Sequence, residues 1–429
     1  MAAPASPIRG MVLFLLVFVT YVSPPRLNLG TFQGQASLPK TVDVRAEDVV
    51  LAGVLALWLV RPGFVRWRSP LKPLILVYLG WSIVATVFAI SQDWVIPLRA
   101  IFYTAKEIEY FLFFAVGLLC VRNVGDLKAG IAGLAAGALV QGAYAVFQLA
   151  TGQYTGTYAV GLLGEPSPHI TAMCGCLSLC LGLVLFDPAK PRLAALSIAC
   201  AVLGAAGIVG SISRTAVFSA GGAALVLLFL ELPQRRGILP RWAPVALFVV
   251  TGLAVVVAYT VLISGEPGDR TASLVARRID PLFGTSFADE GVQAYHQSRV
   301  VPVLEDYFKL FWASPILGNG KSITGHSEER FADAHNYYLR LAVEVGVVGL
   351  FLFMGMIFVV VRTSFRLYRH GHPRLVRIMG LLCLLFTVVV LVASLASDVF
   401  ISPRIAELYW VLVGMTMGLE RLNRFANPR

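Results

Sequence analysis

Charged residues are scarce in this sequence. Asp, Glu, Lys and Arg make up 14% of its 429 residues, whereas apolar residues make up 57%. Because soluble globular domains carry about 25% charged residues, this composition excludes an ordinary soluble protein. The apolar residues gather in runs long enough to cross a membrane, so the sequence predicts an all-α polytopic membrane protein.

Patterns typical of disulfide or metal sites are also missing. The six cysteines all lie in or beside apolar runs, and none falls in the long hydrophilic segment 264–336. Neither a disulfide framework nor a thiolate metal site is therefore predicted. His296 and His326 have acidic neighbours in that segment, but their spacing matches no metal-ligand pattern and an Asp-x-Asp pair is lacking. We predict no metal and no cofactor.

Basic residues outnumber acidic residues and give a formal net charge of +11. They stand in short clusters between the apolar runs, where membrane topology accounts for them better than nucleic-acid binding does. We therefore exclude nucleic acid as a partner and expect contact with membrane lipids.

The apolar runs predict about twelve transmembrane helices. The first run also has the features of a secretory signal, but its interpretation as a retained span makes the charge pattern of the connections consistent. The predicted spans are residues 11–22, 49–60, 74–90, 101–121, 127–149, 170–186, 193–209, 212–230, 243–263, 337–361, 376–395 and 401–419.

The charge of the connections predicts the orientation in the membrane. Every second connection and the C-terminal tail are rich in Lys and Arg, which places both termini in the cytoplasm. The predicted organisation is residues 1–263 with transmembrane helices 1–9, residues 264–336 as one large outer loop, and residues 337–429 with helices 10–12 and a cytoplasmic tail.

The outer loop is too long for a simple connection, so we expect it to be a lid or a binding element. Aromatic and aliphatic residues recur at helical spacing over residues 289–314, which predicts an amphipathic helix at the membrane interface. The sequence ASPILGNGKS, residues 313–322, then supplies one Pro and two Gly and predicts a turn back toward the membrane.

Several ionisable residues near the outer ends of the spans need a reason. Arg214 stands among Ser211, Ser213 and Thr215, and it is either a snorkelling anchor or a functional residue. Ion pairs are the simpler interpretation for the others, namely Asp398 with Arg404, and Lys106 with Glu107 and Glu109.

His335 stands at the outer surface, at the start of a predicted helix. The backbone N–H groups of a first helical turn disfavour an imidazolium, which keeps the ring neutral and able to accept a proton. His335 is therefore either a general base or a capping residue. Asn336 is placed to orient His335 or a substrate. Arg340 and Glu344 have the i,i+4 spacing of a helical ion pair.

This region resembles the signature of the O-antigen ligase and O-antigen polymerase superfamily. The residues that carry the resemblance are Arg299, the turn SPILGNG, and HNYYLRLAVEVGVVGL from His335 to Leu350. SISRTA around Arg214 is similar to the outer-facing arginine motif of that family. The resemblance covers about half of the chain, from the eighth apolar run to the end.

The resemblance implies a bundle of about twelve helices with a large periplasmic loop, in the inner membrane of Gram-negative bacteria. It also implies an inverting, metal-independent glycosyl transfer from undecaprenyl pyrophosphate-linked O-antigen. By motif, His335 matches the base, Arg214 and Arg299 match the arginines that bind the pyrophosphate, and Asp398 matches an acidic residue near the end of the penultimate span. Asn336 and Arg340 are supporting residues.

Members of the superfamily differ in their acceptor. Ligases deliver glycan to lipid A-core in lipopolysaccharide biosynthesis, polymerases extend a glycan, and protein oligosaccharyltransferases modify proteins. A loop of moderate length without a further soluble domain favours the ligase by analogy.

Two interpretations from other classes stay open at this point. About twelve spans with ionisable residues are also typical of a secondary transporter, although the two halves show no repeat and the charges gather at one surface. A non-catalytic assembly protein is the other alternative. It predicts that loss of His335 leaves glycan transfer intact.

Overall fold

The computed structural model describes residues 7–22, 27–32, 40–60, 69–151, 168–211, 213–231, 301–323 and 336–426. Over these residues the chain is helical, apart from one small sheet and short turns. The helices are α1 (Pro7–Val22), α2 (Ala46–Val60), α3 (Lys72–Ser91), α4 (Pro97–Cys120), α5 (Val124–Thr151), α6 (Pro168–Leu185), α7 (Pro191–Ser211), α8 (Arg214–Glu231), α9 (Val301–Ala313), α10 (Tyr337–His370), α11 (Arg374–Ala393) and α12 (Pro403–Ala426).

Proline marks the start of many of these helices. Pro97, Pro191 and Pro403 each occupy the first helical position, where the missing N–H costs nothing and the fixed φ suits the helix. Apolar side chains then cover most of each helix surface, as lipid and neighbouring helices both require.

Five described helices are long and apolar enough to cross a membrane: α3, α5, α7, α10 and α11. α1, α6 and α8 contain shorter apolar stretches. The prediction of a helical, multi-pass membrane protein is therefore confirmed. Each predicted span falls on one of these helices or on α2, α4 or α12, except 243–263, which lies outside the described residues. The number of spans and their orientation stay predictions.

One antiparallel pair of strands interrupts the helices. β1 (Leu27–Phe32) pairs with β2 (Lys40–Val44), with Leu27 opposite Val44 and a register shift between Asn28 and Thr31. Hydropathy does not predict this pair, because its residues lie between two apolar runs and are too few to form a helix or a span. The helices still define the fold class.

The helices that carry the site meet at one end of the bundle. α4 and α12 pack with their backbones close together, since a Cβ on Gly414 would lie 2.2 Å from the Phe114 carbonyl oxygen. The start of α10 is fixed to the end of α11 by the bond from the Tyr337 N–H to the Ser394 carbonyl, 2.9 Å. A small apolar cluster that includes Ala89, Tyr307 and Val343 joins α9 to α3 and α10.

Candidate active site

Helix α10 is broken near its start. Gly346 has φ 67° and ψ −179°, which no helical residue adopts, and it divides the helix into segments 337–345 and 347–370. A Cβ at this position would lie 2.0 Å from the Ile316 carbonyl oxygen. Only glycine fits here, both for its backbone conformation and for the close approach of the neighbouring chain.

The turn after α9 supplies the hydrogen bonds that the break removes from α10. The backbone N–H groups of Asn319 and Gly320 donate to the carbonyls of Val343 and Glu344, at 2.8 and 2.9 Å. The N–H of Val347 donates in turn to the Pro315 carbonyl at 2.8 Å. Irregular backbone near a membrane needs such internal partners. The turn SPILGNG and the helix after His335 are therefore one folded unit.

Asn336 caps the first segment of α10. Its side-chain oxygen accepts a hydrogen bond from the Leu339 N–H at 3.0 Å, and its amide donates to the Leu395 carbonyl at 3.3 Å. These bonds satisfy a first-turn donor and tie the helix start to the end of α11. Asn336 thus fixes the backbone next to His335, which itself lies outside the described residues.

Arg340 is buried between two carboxylates. Its Nε lies 3.0 Å from Glu344 Oε1, and its Nη1 lies 3.3 Å from Asp398 Oδ2. The guanidinium also lies 5.9 Å from the centre of the Tyr103 ring, and the residue is 4% exposed. The i,i+4 pair with Glu344 is present, but Asp398 extends it into a link between α10 and the segment before α12.

Lys321 enters the same region from the turn. Its Nζ lies 2.8 Å from Glu107 Oε1 and 3.5 Å from Glu344 Oε2, and the residue is 6% exposed. Glu107 also accepts hydrogen bonds from the Tyr78 hydroxyl at 2.6 Å and from Ser82 Oγ at 2.8 Å. Both oxygens of this buried carboxylate are satisfied, as a buried charge requires.

The pKa of Lys321 reflects two opposing effects. Burial lowers the pKa of its ammonium, but the carboxylates of Glu107 and Glu344 outweigh burial and hold the pKa above its ordinary value. Lys321 is therefore charged at neutral pH.

These residues line a cavity with an aromatic wall and charged groups of both signs. It lies between α3, α4, the first segment of α10 and the 3₁₀ turn Val399–Ile401. The lining residues are Tyr78, Tyr103, Lys106, Glu107, Tyr110, Phe111, Lys321, Tyr337, Arg340, Glu344, Phe353, Phe400, Ile401 and Trp410. Tyr337, the first residue of α10 and two residues after His335 in the sequence, is one of these lining residues.

A group of carboxylates lies beside this cavity. Asp48, Glu109 and Glu407, from α2, α4 and α12, bring carboxylate oxygens within 4.8 Å of one another, a spacing that can hold a metal ion. The Lys106 ammonium already lies 2.6 Å from Glu109 and 3.6 Å from Asp48. We therefore assign an ion-pair cluster here. Of the two carboxylates predicted for Lys106, Glu109 pairs with it and Glu107 pairs with Lys321.

Asp398 and Arg404 have different surroundings. The Asp398 carboxylate faces Arg340, whereas Arg404 is buried at the start of α12. The turn Val399–Ile401 separates the two residues and directs Asp398 toward the start of α10. Asp398 therefore has an ion-pair partner, Arg340, that the sequence analysis did not assign to it.

The structure thus brings together Asn336, Arg340 and Asp398 among the predicted site residues. Arg214 is the first residue of α8, and its side chain lies outside the description, as do Arg299 and His335. The backbone carbonyl of Ser213, which precedes it, accepts a hydrogen bond from the Ala216 N–H at 3.1 Å, so Arg214 stands at a helix start. Sequence patterns alone do not assign Lys321 to this site. The available signal is a lysine directly after the glycine turn.

Comparison with protein families gives one match, to the family described as O-antigen ligase, over residues 199–354. The matched segment contains Arg214, Arg299, Lys321, His335 and Arg340. Glu107 and Asp398 lie outside it. A comparison with curated proteins gave no match. Residues 199–354 of this multi-pass membrane protein are therefore similar to the O-antigen ligase family, as the resemblance of its motifs predicted.

Proposed function

We propose that the protein is an O-antigen ligase, a glycosyltransferase that moves O-antigen glycan from undecaprenyl pyrophosphate to lipid A-core. The family match supports glycosyl transfer in the O-antigen ligase and polymerase group. The observation that carries the proposal is the interlocked turn and broken helix, whose first segment begins at Tyr337 and lines a cavity rich in charged groups. We propose that His335, two residues before Tyr337 in the sequence, acts as the base at this cavity.

The proposed reaction needs no metal ion. His335 removes the proton from an acceptor hydroxyl, and the oxygen attacks the anomeric carbon from the side opposite the phosphate. A new C–O bond forms as the bond to the pyrophosphate breaks, which inverts the anomeric centre. Undecaprenyl pyrophosphate leaves as an anion held by the forks of Arg214 and Arg299. The proton on His335 then passes to solvent.

Asn336, Arg340 and Asp398 support this chemistry by holding the start of α10. Asn336 caps the helix one residue after His335, and the Arg340–Asp398 pair fixes the next turn. A base held by a rigid helix start loses little entropy when the acceptor binds. We assign these residues to positioning.

The proposed setting is the periplasmic face of the inner membrane, with both termini in the cytoplasm. A polyprenyl chain must stay in lipid during transfer, so the site has to open sideways to the bilayer. α9 suits a lid at that opening. Its Tyr307 is buried, while Phe308 and Trp312 are 53% and 71% exposed, as expected for a helix at the membrane interface.

The first prediction is tested with purified protein, lipid-linked donor and lipid A-core, with and without a chelator. We expect glycosylated lipid A-core in both conditions, and near-complete loss of product for His335→Ala with unchanged thermal unfolding. The control is His370→Ala, an exposed histidine at the end of α10. Full activity of His335→Ala contradicts the base assignment.

The same assay separates the acceptor classes. Product on lipid A-core supports a ligase, whereas longer lipid-linked glycan indicates a polymerase, and product on an added protein indicates an oligosaccharyltransferase. Activity that a chelator abolishes contradicts the metal-independent mechanism.

A further inference from the structure

Five charged side chains form a continuous series of ion pairs across the site. Their order is Glu107, Lys321, Glu344, Arg340 and Asp398, with alternating charge, and neighbouring members lie 2.8, 3.5, 3.0 and 3.3 Å apart. We propose that Lys321, held by Glu107, is a positioning residue that sets the guanidinium of Arg340 and the first turn of α10. This inference rests on the proposed glycosyl transfer.

The turn places Lys321 by close contact with α3. Gly320 has φ 82°, and a Cβ there would lie 2.3 Å from the Cβ of Ala89. The backbone N–H of Lys321 then lies 3.4 Å from Thr86 Oγ1. This contact directs the lysine side chain inward, to Glu107 on α4. The position of its ammonium is therefore set by the backbone of the turn.

Glu344 transmits that position to Arg340. Its two carboxylate oxygens are divided, since Oε1 binds Arg340 and Oε2 faces Lys321. Without the Lys321 ammonium, Arg340 is the cation of this series that remains beside Glu344. A contact of both Glu344 oxygens with the guanidinium then becomes favourable. Such a contact draws Arg340 away from Asp398. The first turn of α10, which begins two residues after His335 in the sequence, then loses one of its stabilising contacts.

Charge balance leads to the same conclusion. These five side chains carry three negative charges and two positive charges, and loss of Lys321 removes one of the two positive charges. A buried carboxylate without a partner is strongly unfavourable. Lys321 therefore supports the site through other residues and has no proposed contact with the substrate.

The activity test compares Lys321→Met with Lys321→Arg. We expect the methionine variant to lower kcat by about tenfold to a hundredfold, because a small displacement of a catalytic group is that costly. Its KM for the lipid-linked donor stays near that of the wild type, and the arginine variant regains part of the loss. Lys190→Met, at an exposed lysine in the turn between α6 and α7, is the matched control.

Should Lys321→Met fail to fold, the double variant Glu107→Gln/Lys321→Met takes its place, because it restores the charge balance. We expect this pair to fold and still to show the reduced kcat. Wild-type kcat in either folded variant overturns the positioning role, as does a change confined to KM.

A second test does not depend on activity. Glu344 and Arg340 stand between Lys321 and Asp398 in this series. The Tm losses of Lys321→Met and Asp398→Asn should therefore add if each role is local. We expect the Tm loss of the double variant to be smaller than the sum of the single losses. Additive losses overturn the inference. Absence of transfer by the wild type with every lipid-linked donor would reject the proposed function. The comparison of the single and double variants by thermal unfolding would still test the series of ion pairs.

Discussion

At the scale of single residues, the site is built from charges that are buried in pairs. Arg340 and Lys321 each contact two carboxylates, and Glu107 takes its remaining hydrogen bonds from Tyr78 and Ser82. A buried pair of this kind adds little net stability over apolar packing, but breaking it costs about 3–5 kcal/mol. Such groups are therefore better explained by the fixed geometry that they impose than by stability.

The two arginines proposed for the donor can be tested by exchange for lysine. We expect Arg214→Lys and Arg299→Lys each to lower kcat/KM for the donor roughly tenfold or more, because an ammonium cannot form the two parallel bonds of a guanidinium. A charge-assisted hydrogen bond contributes about 1.5–3 kcal/mol. Steady-state kinetics across donor concentrations measure the change. Arg369→Lys, at an exposed site near the end of α10, is the control, and full activity of both variants contradicts the pyrophosphate assignment.

At the scale of elements, the break in α10 is the decisive feature. The helix gives up its own hydrogen bonds around Gly346 and receives others from the turn at 315–320. Trp81 on α3 adds a further bond from its Nε1 to the Val345 carbonyl, 2.8 Å. Three separate parts of the chain thus meet at a single interrupted turn.

Gly346→Ala tests this junction. We expect a loss of stability of more than about 1–3 kcal/mol, since backbone strain at positive φ alone is of that size and the new Cβ meets the Ile316 carbonyl. Thermal unfolding in detergent measures it. Gly355→Ala in the same helix is the control, because a Cβ at 355 meets nothing within 4 Å and alanine favours a helix. Equal Tm values for the two variants would show that the break is not rigid.

The sequence predicts the helices of this fold better than the contacts between them. Apolar runs identify spans because each run is a local property of the chain, and Asn336 is recognisable as a residue near a helix start. Gly346, by contrast, looks like any small residue within VEVGVVGL, so the break is not predicted. The partnership of Lys321 with Glu107 joins residues more than two hundred positions apart, and no periodicity encodes such a pair.

At the scale of the whole molecule, the charged site occupies one end of the bundle. Side chains of α3, of the first half of α4 and of the start of α10 line its cavity, and the end of α11 binds the start of α10. The opposite ends carry basic residues such as Arg122, Arg369 and Arg377. This distribution is consistent with a cytoplasmic location for the basic ends and supports the proposed periplasmic location of the site.

Cysteine labelling tests that orientation. All six native cysteines are buried, so an introduced thiol is labelled above a low background. We expect a membrane-impermeant maleimide to label Ser286→Cys, in the 264–336 loop, on intact spheroplasts. Ala189→Cys, in the exposed turn between α6 and α7, should react only after permeabilisation. The reverse pattern would place the site in the cytoplasm.

The exchange of backbone bonds between the turn and the broken helix also limits how the protein can be recombined. A chimera that takes residues 264–336 from a relative but keeps its own α10 would join two surfaces from different proteins. Gly346 would then face a foreign carbonyl. Cut points placed before Ser314 and after Val347 keep the donor and acceptor of each bond on the same parental segment. Chimeras of this protein should therefore carry residues 314–347 as one undivided segment.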